Sequence, residues 1–126
     1  MSASVAELAR EVQLLVRRLR GWAGSSWEVP AGGGVSRAER TARLIDELAV
    51  LGERAGVASP PGLRPPRLAP HALADQVAVL AEELLARLAE ADPASFAAGE
   101  VLRDAQAAVT TTRADLDGAG FGFRMR

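Results

Sequence analysis

Five of the seven prolines fall in one stretch of thirteen residues, 58–70 (Ala-Ser-Pro-Pro-Gly-Leu-Arg-Pro-Pro-Arg-Leu-Ala-Pro). Proline removes a backbone donor and clashes with the preceding helical turn, so no helix crosses this stretch. Repeated proline favours an extended, semi-rigid polyproline II strap. At about 3.1 Å per residue such a strap spans the length of a helical bundle or crosses to a second protomer. The chain is thereby divided into two halves that must each make their own local structure.

Both halves carry helical periodicity. Val5, Leu8, Val12, Leu15, Leu19 and Trp22 alternate by three and four, a heptad seam. Ser4 and Glu7 have capping-box spacing, which predicts helix 1 from about residue 4 to about residue 20. Leu14 and Val16 lie off the seam, so a bundle covers more of this helix than a single partner does. Ser36 and Glu39 form a second capping-box pair, opening a helix whose apolar side is Ala38, Ala42, Ile45, Leu48, Ala49 and Leu51, widened by Leu44, with Arg40, Arg43, Asp46, Glu47 and Glu53 expected in water. Gly52 or Gly56 ends it. Beyond the strap, Leu73, Val77, Leu80, Leu84 and Leu88 make a leucine ridge, and Ala97, Val101, Ala105, Ala108 and Thr112 a stripe of small residues. Asp92 is placed to cap the last helix, with Pro93 at its first position. A leucine ridge facing an alanine groove predicts a close-packed antiparallel pair over 70–113.

The expected fold is therefore all-α: a four-helix antiparallel bundle built from two helical hairpins, 4–56 and 70–113, joined by a proline-rich linker 58–70. Residues 1–118 form a single domain, and 119–126 a Gly/Phe/Arg tail. In an up-down-up-down order, Trp22, Trp27 and Phe96 gather at one end, and the tail phenylalanines lie at the other beside the strap.

Composition narrows the function classes. The chain has no Cys, which excludes disulfides and thiolate metal sites or nucleophiles. It also has no Lys, Asn or Tyr and one Ile, the residues of AT-rich codons, which points to a high-GC bacterial genome, an actinobacterium by expectation. A net charge of −1 exerts no general pull on nucleic acid. Arg10, Arg17, Arg18 and Arg20 on or beside helix 1 are offset there by Glu7 and Glu11. Residues 1–68 carry +3 and residues 69–126 carry −4, so a basic first half can lie against an acidic second half. The start of the chain lacks a basic n-region and no apolar run spans a bilayer, so a cytoplasmic, membrane-free protein is expected.

Candidate chemistry is sparse. His71, the only histidine, has Asp75 one turn on, which would orient a proton carrier in a small-ligand-binding or enzymatic bundle. Arg64 and His71 resemble, in their arginine–six residues–histidine spacing, the active site of helical RNases of the HEPN kind. There the pair lies on a helix and a polar residue follows the arginine; here Pro65 and Pro66 follow. Glu82 with Glu83 and Glu100 with Asp104 lack the Glu-x-x-His pairs of a di-metal bundle and read as solvated faces. Gly32-Gly33-Gly34 lacks the Lys of a phosphate loop and reads as a linker. No catalytic residue, cofactor or metal is expected.

Aromatic residues are concentrated outside the helices. Trp22 and Trp27 lie in the Gly-rich segment 21–35 beside Arg17, Arg18 and Arg20, the composition of an interface hot spot. Either they anchor a partner or they fold back to close the bundle end. The tail Phe121-Gly122-Phe123-Arg124 has the alternation of an extended docking peptide. Trp22, Trp27, Phe121, Phe123 and Arg124 are thus the candidate partner-binding residues of a non-enzymatic adaptor, chaperone-like protein or accessory subunit, with a homodimer as one form of assembly. Trp22-Ala23-Gly24 is also similar to the Trp-x-Gly turn of helical-hairpin substrates of type VII secretion, and Phe96 with Glu100 to their aromatic–three residues–acid signal. Membership would imply export. Against that, helix 1 is short, the signal should follow the second helix, and four helices replace two.

Overall fold

A computed structural model describes residues 3–57 and 64–118. Among them are four helices and no named strand: α1 (Ala3–Arg20), α2 (Arg37–Ala55), α3 (Leu73–Glu90) and α4 (Phe96–Gly118). Short 3-10 turns, Gly24–Glu28, Gly32–Gly34 and Pro70–Ala72, lie between them. The fold is the expected all-α four-helix bundle.

Local signals set most of the helix ends. Ser36 and Glu39 close a reciprocal capping box: the Glu39 N–H donates to Ser36 Oγ (3.1 Å) and the Ser36 N–H to Glu39 Oε1 (3.3 Å). α2 stops at Gly56, whose φ of 94° only glycine adopts without strain. The N–H groups of Gly56 and Val57 return to the carbonyls of Glu53 and Gly52, which satisfies two orphan acceptors. Two caps differ from the sequence expectation. α1 begins at Ala3, which takes Ser4 out of the capping position. α4 starts at Phe96, and Ser95 Oγ accepts the Ala98 N–H (3.1 Å); Asp92 instead closes the preceding turn on the Ala94 N–H (2.9 Å). The far end of α4 runs on to Gly118 rather than breaking at Asp115, because Leu116 is fully buried and holds the last turn down.

The core is aliphatic. Leu8, Leu15 and Leu19 of α1 meet Leu44, Ile45 and Leu48 of α2, Val77 and Leu84 of α3, and Val101, Ala105, Val109 and Leu116 of α4. Off the α1 seam, Val16 is buried but Leu14 remains 40% exposed. No helix among the described residues is long and apolar enough to cross a membrane.

The helix order corrects the up-down-up-down expectation. Ser4, Glu11 and Arg18 of α1 meet Gln106, Arg113 and Asp117 of α4 in the same sequence direction, so α1 and α4 are parallel. Arg20 at the end of α1 meets Asp75 at the start of α3, so these two are antiparallel. Arg40 and Arg54 of α2 meet Asp115 and Asp104 of α4, another antiparallel pair. The order is up-down-down-up. α1 opposes α2 and α3 opposes α4, but across the diagonals, while α2 and α3 are parallel neighbours: the close packings are α2 with α3, α2 with α4, α1 with α3 and α1 with α4. The leucine ridge of α3 therefore packs against α1 and α2, not against the alanine stripe of α4.

The strap is the physical cause. Arg64 pairs with Glu53 (3.3 Å), and Arg67 donates to Asp46 Oδ2 (3.2 Å) and to the Ala42 carbonyl (3.3 Å). The segment thus retraces α2 from its end towards its start. Ala69, at φ −61° and ψ 152°, has polyproline II geometry. α2, 19 residues long, measures about 28 Å, and twelve residues of strap reach about 37 Å. α3 accordingly enters beside the start of α2 and runs parallel to it.

Deleting residues 58–67 would leave a link of about 10 Å to bridge about 28 Å. We expect that variant to lose its cooperative thermal unfolding transition by circular dichroism, whereas replacing the same residues with an equal length of Gly/Ser keeps the transition at a lower Tm.

Candidate functional site

At the end of the bundle where α1 and α4 finish and α2 and α3 begin, the chain between α1 and α2 folds into a lid. Pro30 and Ser36 pair across its second half: the Arg37 N–H donates to the Val29 carbonyl (2.9 Å) and the Ala31 N–H to the Val35 carbonyl (2.6 Å). Gly33 and Gly34, at φ 88° and 85°, turn the chain between them. The triglycine is therefore a closed turn and not a flexible linker. Gly32 has a different reason to be glycine. A Cβ on it would lie 2.9 Å from Asp115 Oδ1 and 3.4 Å from the Asp115 Cα, so the lid rests on the last turns of α4.

The two tryptophans divide the roles that the sequence left open. Trp27 is 3% exposed and packs into the core, closing the bundle end. Its indole N–H has no acceptor among the described residues, a cost of about 1–3 kcal/mol that burial of the large ring offsets. Trp22 is half-buried and stands edge-to-face on Trp27, with ring centroids 5.1 Å apart and planes at 89°. The Arg37 guanidinium lies 4.3 Å from the Trp22 ring centroid and that of Arg18 lies 6.0 Å away. Arg37 also donates to the Ser26 carbonyl (3.3 Å), and Arg18 forms an ion pair with Asp117 (2.7 Å). The accessible ring is thus held in one orientation by two cations that are themselves anchored.

Beneath the lid lies a residue that sequence reasoning assigned to water. Arg40 is 3% exposed, and its Nε donates to Asp115 Oδ2 at 2.7 Å. The signal was available, since Arg40 precedes Leu44 by four and Leu48 by eight and so shares their buried ridge. Charge type outweighed periodicity. Thr41 and Thr112, both fully buried, have hydroxyls without partners among the described residues, as has Arg40 Nη1.

The remaining candidates do not converge here. Phe96 begins α4 and so lies at the opposite end of the bundle, where α1 starts and α3 finishes, which corrects its expected place beside the tryptophans. The tail residues Phe121, Phe123 and Arg124 lie outside the described residues. The last described residue, Gly118, ends α4 at the tryptophan end. His71 is exposed in the turn Pro70–Ala72, and the carboxylate of Asp75 is engaged by Arg20 (3.0 Å). Arg64 sits in the extended strap and not on a helix with His71, unlike the HEPN pattern. Asp104 accepts from Arg54 (2.8 Å), and among the described residues no group of three or more His, Asp or Glu side chains could hold a metal ion.

Replacing Asp115 with Ala strands the buried Arg40 cation. We expect a loss of roughly 2–3 kcal/mol in urea unfolding, below the value for a fully enclosed pair because Asp115 is 32% exposed. Arg40→Met, which removes the charge and keeps the volume, should cost clearly less. Trp27→Ala should cost about 3–5 kcal/mol by the same measurement.

No protein-family model, curated protein or solved structure matches the chain.

Proposed function

We propose that the chain is a non-enzymatic, cytoplasmic adaptor or accessory subunit that docks a partner protein at the tryptophan end of its bundle. Trp22 is the anchor, flanked by Arg18 and Arg37, and the segment carrying Phe121, Phe123 and Arg124 is the second half of the contact. One observation carries the reading: the half-exposed Trp22 ring is fixed by Trp27 and two guanidinium groups at the same end from which α4 leads into that segment. A fixed aromatic loses little rotamer freedom on binding, so more of its burial appears as affinity. Aromatic and arginine side chains dominate such contacts. Trp27 takes the other role, holding Trp22 in place from below.

The test is affinity capture from the source organism with three tagged baits: the full chain, Trp22→Ala and a chain ending at Gly118. A partner recovered in stoichiometric amount by the full chain and lost, or reduced at least about tenfold, with the other two agrees with the reading. Equal recovery by all three removes the assignment of Trp22 and the tail. Absence of any partner from the full chain overturns the adaptor function itself.

A further inference from the structure

The other end of the bundle carries an unexplained pair of features. Phe96 is 75% exposed, the most exposed of the large hydrophobic side chains among the described residues. Beside it a cleft of about 340 Å³ opens between α1, α3 and α4, floored by Val5, Leu88, Ala98 and Leu102 and rimmed by Asp92 and Gly99. A cavity of about 150 Å³ already admits benzene, so the cleft has room for a phenyl ring. Phe96 does not fill it, because on a helix the side chain at i points about 60° away from that at i+3.

Gly99 sharpens the point. It lies inside α4, where glycine costs about 0.5–1 kcal/mol relative to Ala. A Cβ built on it would meet nothing within 4 Å among the described residues. The described residues therefore give no steric reason for glycine there. Close approach by a body outside the chain does.

We infer that the body is a second copy of this chain, and that two bundles associate end to end about a two-fold axis, Phe96 of each entering the Gly99 cleft of the other. Knob and hole sit three residues apart on one helix, so the surface is self-complementary, as an isologous contact requires. Charge agrees with the register. In an antiparallel contact that sets Phe96 against Gly99 of the second copy, Arg103 comes level with the turn carrying Asp92 of that copy. Arg103 is exposed and has no ion-pair partner among the described residues, and the Asp92 side chain is exposed on the cleft rim. The contact is small and lies at the weak end of protein interfaces. It leaves the tryptophan ends free at the two extremities of the dimer.

The experiment is sedimentation velocity on the full chain from about 10 µM to about 1 mM, with circular dichroism to check folding. The wild-type chain is expected to shift from monomer to dimer within that range. Phe96→Ala, which alters an exposed side chain, raises the dissociation constant at least about tenfold. Gly99→Leu blocks the cleft and abolishes association while its Tm stays equal or rises, since helix propensity improves. Arg103→Asp weakens association, whereas Arg103→Lys, which keeps the charge, leaves it within a few-fold of wild type. A chain that is monomeric throughout, or association unchanged by Phe96→Ala or by Gly99→Leu, overturns the proposal.

Discussion

The strap's length and stiffness govern the rest of this structure. A short link between α2 and α3 would place them as antiparallel neighbours. A proline-rich link long enough to run back along the bundle, its residues 64–69 extended and pinned to α2 by Arg64 on Glu53 and Arg67 on Asp46, lets them run parallel instead. The two helices of each half, α1 with α2 and α3 with α4, then occupy the diagonals, and every direct packing joins helices from different halves of the chain. The halves cannot be separate units. The only interfaces of substance are between them.

Electrostatics follow the same geometry. Arg18, Arg20, Arg40 and Arg54 of the basic half pair with Asp117, Asp75, Asp115 and Asp104 of the acidic half. Three of these pairs are exposed and worth little individually, although together they disfavour wrong pairings of the halves. Arg40 with Asp115 is different, because a cation taken out of water must keep its partner. That pair locks the start of α2 to the end of α4 and gives the lid, through Gly32, a fixed surface to rest on.

The two ends of the bundle consequently differ in chemistry. One is closed by a buried tryptophan and presents an arginine-flanked ring; the other exposes a phenylalanine beside an apolar cleft. Between them the core is mainly aliphatic, His71 stands in solvent, and apart from the half-buried Glu47 the described carboxylates are exposed or serve ion pairs. Such a layout concentrates recognition at the ends and leaves the interior to stability.

What the sequence by itself determined is what depends on neighbours along the chain. The apolar seams of α1 and α3, the Ser36–Glu39 box, the glycine stop of α2 and the extended proline segment are all set by interactions within a turn or two, so local pattern reveals them. The complementary charge of the halves was equally visible as composition. Tertiary structure alone decided which helix ends share an end of the bundle. Hence it decided that Phe96 lies far from Trp22, that α4 finishes beside Trp22, and that Arg40 is buried. The physical reason is that a seam shows that a helical face is covered and leaves open by which helix. That choice was made by the path of a strap whose direction depends on contacts with α2, residues distant in the chain and close only once it has folded.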